Sequence, residues 1–122
     1  MEEVISKYKD KKLEYGFLDC HLLVLDFIKY DTTNLIGKYS DYKTGAKLAL
    51  ALTGCRSLVE FLESRGYQKV NPYLVSDGCI VMSGVSCSIY WDGKLFGIWD
   101  DVFQFRRVKP SELKDLGVYE YG

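Results

Sequence analysis

The chain has 122 residues, with 16 Lys and Arg against 17 Asp and Glu, four cysteines and a single histidine. A single domain spanning residues 1–122 is expected at this length. The net charge of -1 lacks the basic surplus typical of nucleic-acid binders. The longest apolar runs fall far short of the roughly 20 residues that a membrane-spanning helix needs. We therefore expect a globular domain that binds neither nucleic acid nor membrane.

The first half of the chain predicts four helices. Helical spacing of Val4, Ile5 and Tyr8 indicates a short first helix. A second helix is predicted from Asp19 to about Tyr30, because the Asp19 carboxylate can accept the free backbone N–H groups of a first helical turn. A continuous apolar stripe follows it, which is typical of a well-buried helix.

The next two helices also have recognisable ends. The third is predicted over residues 43–53, with Asp41 or Thr44 near its N-cap and Gly54 as its stop. Its apolar residues cover nearly all sides. A capping box at Ser57–Glu60 opens the fourth helix, since Ser and Glu three residues apart can satisfy each other's backbone donors.

The second half of the chain changes to the pattern of strands. Asp92-Gly93 is a preferred two-residue hairpin turn, flanked by apolar alternating segments. Strands are predicted over residues 79–82, 85–91, 94–99 and 102–108, with 117–121 closing the sheet. Helices followed by an antiparallel sheet predict an α+β domain in which N-terminal helices pack on a C-terminal sheet.

The cysteines show no spacing typical of a metal site. Cys55, Cys79 and Cys87 lack any CxxC pattern, and only one histidine is available. We expect these three to be reduced, mostly buried thiols, and we predict no metal site and no cofactor. A Cys/His metal site remains a third functional hypothesis, to be decided by metal analysis of the purified protein.

Cys20 stands apart because it occupies the first turn of the best-defined helix. The N-terminus of a helix carries partial positive charge and free N–H groups, which favour a thiolate over a thiol. A thiolate at a helix start, facing a sheet that supplies an imidazole, is the arrangement used for nucleophilic catalysis by cysteine hydrolases. Cys20 is therefore the candidate nucleophile. The alternative is a small residue kept at a crowded helix–sheet contact.

Several short motifs resemble the papain-like superfamily, in particular its NlpC-type cysteine peptidases. The segment 77–82 is similar to the Gly-Asp-led strand of that branch, with altered order, and 85–93 is similar to its His-led strand and turn. The chain also resembles a group of small phage and prophage proteins within the superfamily. The matching residues are Tyr15-Gly16, Asp19-Cys20, Tyr42, Gly45-Ala46, Leu48 and Tyr119. The resemblance implies a papain-like fold with Cys20 at the nucleophile position.

The chain departs from that family at the catalytic histidine. Where the enzymes carry it, this chain has Ser86 or Cys87, and the sole histidine is His21. Successive helical residues point about 100° apart, so His21 is not expected to face Cys20 as a general base. The residue that orients the histidine in active relatives would correspond to Asp100 or Asp101, which here have no imidazole to orient.

The hairpin region is rich in aromatic residues, of which Tyr90, Trp91 and Trp99 could form an exposed patch. Such patches are typical anchors for protein partners. We therefore expect protein partners, which the resemblance implies are phage structural proteins, and further copies of the chain as a second kind of partner.

Two functions follow from these observations. The first is a non-catalytic papain-like domain that acts as a phage structural, tail or head assembly, or interaction protein. The second is an active thiol hydrolase that cuts a peptide or peptidoglycan amide through Cys20. The acidic start of the chain lacks the order of a secretory signal. We therefore expect the protein in the host cytoplasm and in the virion, not secreted by its own signal.

Overall fold

A computed structural model describes all 122 residues. Four helices come first: α1 (Glu2–Tyr8), α2 (Cys20–Phe27), α3 (Tyr42–Thr53) and α4 (Leu58–Ser64). Six strands follow: β1 (Tyr67–Val70), β2 (Ile80–Ser83), β3 (Ser86–Trp91), β4 (Lys94–Trp99), β5 (Val102–Arg107) and β6 (Gly117–Tyr121). Short 3-10 turns lie at Pro72–Leu74 and Pro110–Leu113. The protein is therefore α+β with its helices in the N-terminal half, and this prediction is confirmed.

The six strands form one antiparallel sheet in the order β1-β6-β2-β3-β4-β5. From β2 to β5, neighbours in the sheet are also neighbours in the chain, as the hairpin signals predict. The C-terminal strand β6 instead lies between β1 and β2. That position is not predicted by local sequence, because it depends on pairing across a long separation in the chain.

The helix starts follow the predicted capping residues. Asp19 accepts a hydrogen bond from the Leu22 backbone N–H at 2.8 Å, and Asp41 accepts one from the Thr44 N–H at 2.8 Å. Ser57 caps α4 through the Glu60 N–H at 3.1 Å. These side chains satisfy backbone donors that have no partner inside the helix. Asp41, rather than Thr44, is the N-cap of α3.

The end of α2 differs from the prediction. The helix ends at Phe27, three residues before Tyr30, because Lys29 adopts a left-handed conformation with φ 61°. The Tyr30 N–H then donates to the Leu25 carbonyl at 2.9 Å, and the Lys29 N–H donates to the Asp26 carbonyl at 3.1 Å. This is a Schellman motif. Glycine usually occupies its left-handed position, so a lysine there gives no stop signal in the sequence.

The sheet is covered on both faces. On one face, α2 packs its Leu23 and Val24 against Ile89 of β3 and Phe96 of β4, in the larger hydrophobic core. On the other face a smaller cluster lies beneath the 3-10 turns; its buried members are Cys79, Val81, Leu95, Leu113 and Val118. Cys79 and Cys87 are thus buried as predicted, one on each face, whereas Cys55 is only half-buried.

α3 contrasts with this pattern because none of its residues is buried. Leu50 and Leu52 are each 44% exposed. At 12 residues α3 is the longest helix, and no helix in the protein combines the length and apolar character needed to cross a membrane. The apolar side chains of α3 are therefore not among the buried members of a hydrophobic core.

The predicted aromatic patch is divided between the two faces of the sheet. Tyr90 and Trp99 pack against the smaller cluster, whereas Trp91 lies edge-on to Phe27 of α2 with ring centroids 6.5 Å apart. All three are half-buried. Tyr90 and Trp91 thus lie on opposite faces, because successive residues of a strand point to opposite sides of the sheet. Partner binding by these residues stays a prediction.

Candidate functional site

Asp19 organises the first turn of α2 beyond its role as a cap. Asp19 is 3% exposed, and its carboxylate accepts three hydrogen bonds. The donors are the Leu22 N–H at 2.8 Å, the Gly16 N–H at 3.1 Å and the Tyr39 hydroxyl at 2.5 Å. A buried carboxylate with three donors holds its surroundings in one arrangement. The 15–16 turn, the α2–α3 connection and the start of α2 are thereby joined at one point.

Two glycines allow Tyr39 to lie in this position. Gly16 has φ 90°, and a Cβ atom there would lie 2.0 Å from the Tyr39 carbonyl oxygen. A Cβ on Gly45 of α3 would lie 2.7 Å from the Tyr39 ring. Any larger residue at either position collides with Tyr39. The Tyr-Gly and Gly-Ala motifs noted in the sequence thus surround one tyrosine that the motifs themselves do not include.

The candidate nucleophile Cys20 faces Cys87 of β3. The Cys87 thiol donates a hydrogen bond to the Cys20 carbonyl oxygen at 3.0 Å. The pKa of Cys20 is lowered to about 6, chiefly because the Cys87 thiol can also donate to its sulfur, with a further contribution from the charge of His21. Burial and Asp19 oppose this shift. Cys20 is therefore mostly a thiolate at neutral pH.

Cys87 shows the opposite behaviour. Its side chain is buried, and burial together with its hydrogen bond to Cys20 raises its pKa well above the ordinary thiol value. A buried thiol that keeps its proton is a hydrogen-bond donor and cannot accept a proton from a substrate or from Cys20. The two facing cysteines thus divide into a thiolate and a thiol.

The side chain of His21 lies close to the sulfur atoms of both cysteines. One of its ring nitrogens is within 4.8 Å of both cysteine sulfur atoms. Its Nε2 bonds the Val85 carbonyl in the β2–β3 turn at 2.8 Å, and its ring meets Tyr42 edge-on at 5.6 Å. The contact with Val85 thus holds the ring near both cysteines, and the expectation that His21 does not serve Cys20 as a general base stays a prediction. No hydrogen bond joins His21 to Cys20.

A cavity of about 320 Å³ opens beside this cluster. Cys20 and His21 border it at one end, with Val85 and Ser86 of the sheet nearby. The rest of its wall is mainly apolar and aromatic and comes from α2, the α2–α3 connection, α3 and α4; its members include Leu25, Tyr30, Leu35, Tyr39, Tyr42, Ala46, Ala49, Leu58 and Phe61. Its volume is at the lower end of small-molecule sites and suits one apolar or aromatic group.

Three other residues singled out in the sequence, Ser86, Asp100 and Asp101, do not hydrogen-bond to Cys20. Ser86 is exposed at the cavity rim, so Cys87 is the residue of β3 that faces Cys20. Asp100 and Asp101 are exposed in the β4–β5 turn, where Asp100 lies 4.0 Å from Arg106. Neither aspartate hydrogen-bonds to the site. Tyr39 was not predicted as a site residue, since no local pattern marks a tyrosine that bonds to a distant carboxylate.

Comparison with family models, with curated proteins and with solved structures found no match for this chain.

Proposed function

We propose that this chain is a non-catalytic papain-like domain that acts as a phage structural, tail or head assembly, or interaction protein. The observation that carries the proposal is the identity of the residue facing Cys20. In the enzymes that the sequence resembles, the corresponding strand presents a histidine, whereas this chain presents Cys87. The phage context rests on the same resemblance.

Cys87 cannot replace a general base. Its raised pKa keeps the thiol protonated at neutral pH, and its proton is directed at the Cys20 backbone and sulfur. His21 has its Nε2 engaged by Val85 and makes no hydrogen bond to Cys20. Acid–base catalysis typically contributes on the order of 10²–10⁴ in rate. Without a base hydrogen-bonded to it, a thiolate at position 20 is expected to react once and to turn over slowly, because no group is aligned to protonate a leaving amine or to activate water.

The remaining features suit binding. The cavity wall is largely apolar, and Asp19 and Tyr39 hold its polar end in one arrangement. Preorganised apolar cavities bind because little ordering is needed when the ligand enters. An apolar side chain of a partner protein is the occupant that such a cavity would accept in an assembly protein.

The experiment is affinity capture of a tagged chain from phage-producing cells, combined with mass spectrometry of purified particles. We expect structural proteins of the phage to copurify. Ala49→Trp fills the cavity and should abolish capture, whereas Ala51→Trp, on the exposed side of the same helix, should not. Absence of the chain from particles, together with no captured phage protein, would contradict the proposal.

A second candidate function is thiol hydrolysis through Cys20. It is favoured by one observation, namely that a cysteine with its pKa lowered to about 6 borders a cavity at a helix N-terminus. Multiple turnovers on peptidoglycan fragments or peptide esters, lost in Cys20→Ser and kept in Ala51→Ser, would establish this activity in place of the first proposal.

A further inference from the structure

Three potential metal ligands converge at the junction of α2 and β3. The sulfur atoms of Cys20 and Cys87 and a ring nitrogen of His21 all lie within 4.8 Å of one another. In a tetrahedral zinc site, ligand atoms lie about 3.5–3.8 Å apart, given typical Zn–S and Zn–N bond lengths. The three ligand atoms are thus within about 1 Å of the spacing that zinc requires.

The hydrogen bond of His21 is a second, independent observation. Because a carbonyl oxygen can only accept, the 2.8 Å contact between Nε2 and the Val85 oxygen places the proton on Nε2. A metal ion that replaces any proton on the other nitrogen would therefore bind through the lone pair of Nδ1. Histidines that bind metals commonly donate their other N–H to a backbone carbonyl in this way, which orients the ring and selects the tautomer.

Charge and ligand type select the kind of ion. Two thiolates and a neutral imidazole carry a charge that a divalent cation neutralises, and neutrality matters because Cys87 is buried. Sulfur and imidazole ligands favour zinc, whereas magnesium and calcium prefer oxygen. The cluster itself contains no carboxylate.

We propose that Cys20, His21 and Cys87 together bind one Zn²⁺ ion, with a fourth position for water on the side of the cavity. Cys20 and His21 both border the cavity, so that side is open to solvent. Binding releases the Cys87 proton to solvent, together with any proton still on Cys20, and leaves both sulfurs as thiolate ligands. Zinc would join the start of α2 to β3 and would occupy the Cys20 sulfur, so the proposal is compatible with a non-catalytic domain and independent of any phage partner.

The test begins with the full chain, reduced and depleted of metal. Titration with Co²⁺ should give a thiolate-to-cobalt charge-transfer band that saturates at one equivalent and disappears when Zn²⁺ is added. Cys20→Ser or Cys87→Ser should weaken binding by more than about 100-fold, beyond the loss typical of an outer-shell change. His21→Ala should shift the band and weaken binding. Cys55→Ser, which changes a half-buried cysteine outside the cluster, should leave the titration unchanged.

A second measurement needs no substitution in the site. Zn²⁺ should protect Cys20 of the wild-type protein from alkylation, as mapped by mass spectrometry, and should leave Cys55 unprotected. This result decides the question if Cys87→Ser fails to fold. Absence of one-to-one binding, binding that persists in Cys20→Ser, or equal alkylation of Cys20 with and without Zn²⁺ would each overturn the proposal.

Discussion

The helices α2 and α3 are both apolar, yet they occupy opposite kinds of environment. α2 buries four consecutive residues, Leu22 to Leu25, against the sheet and its neighbours. α3 is longer and buries none. The comparison teaches that the apolar character of a helix does not by itself predict its burial. α2 packs into the core, whereas α3 lines a cavity and leaves Leu50 and Leu52 exposed.

Small side chains explain why that cavity is not filled. Gly45, Ala46 and Ala49 of α3 all line it, and none reaches across to α2 or α4. Gly45 must be small because Tyr39 lies against it. The apolar face of α3 therefore forms a wall beside Cys20, in a region where larger residues would have produced ordinary core packing.

The largest expected difference in stability comes from replacing one leucine of each helix by alanine. Leu23→Ala removes a side chain of 0% exposure from the core and should lower the free energy of unfolding by about 3–5 kcal/mol. Leu50→Ala, at 44% exposure on α3, should change it by less than about 0.5 kcal/mol. Urea denaturation measures both. Similar losses in the two variants would mean that α3 belongs to the core.

The two aspartate caps give the next contrast. Asp19→Ala leaves three donors without their partner in a buried place and should cost about 2–4 kcal/mol. Asp41→Ala removes one exposed cap and should cost about 1 kcal/mol. Thermal unfolding of the pair measures this difference. Equal losses would show that Asp19 serves only as a cap.

Filling the cavity should raise the stability of the protein by an amount smaller than the losses expected above. Ala49→Leu adds apolar volume inside the cavity and should raise the free energy of unfolding by about 1 kcal/mol. Ala51→Leu adds the same group at an exposed position of the same helix and should have almost no effect. A destabilised Ala49→Leu protein would indicate that α3 already lies close against α2 and α4.

The environment of Cys20 should be visible in the pH dependence of its alkylation rate, with little effect on stability. In metal-free protein its alkylation rate should be half-maximal near pH 6, fall below that pH as the thiolate gains a proton, and level off above it. Cys87→Ala removes the largest cause of the shift, so the midpoint should move up towards the ordinary value of 9.0. A midpoint near 9 in both proteins would show that Cys87 does not stabilise the Cys20 thiolate.

Features encoded by adjacent residues were predictable from the sequence. The caps at Asp19, Asp41 and Ser57, the Asp92-Gly93 hairpin and the position of Cys20 at a helix start each depend on a few neighbouring residues. The corresponding helix starts and strands lie close to the predicted bounds.

Features that depend on distant contacts were not predictable. The Tyr39–Asp19 hydrogen bond, the position of β6 inside the sheet and the approach of His21 to Cys87 all join residues far apart in the chain. For the same reason, cysteine spacing failed to indicate the three-ligand cluster. One of its members comes from β3, more than 60 residues after the other two.

The central claim is that Cys20 is an activated thiolate without a general base. The most direct measurement is stopped-flow mixing of metal-free protein with excess p-nitrophenyl acetate, using Cys20→Ser as the control. We expect a burst of one equivalent of nitrophenolate, with acylation mapped to Cys20, followed by turnover no faster than hydrolysis of a free thioester. Sustained turnover that disappears in Cys20→Ser would contradict the claim and identify a working hydrolase.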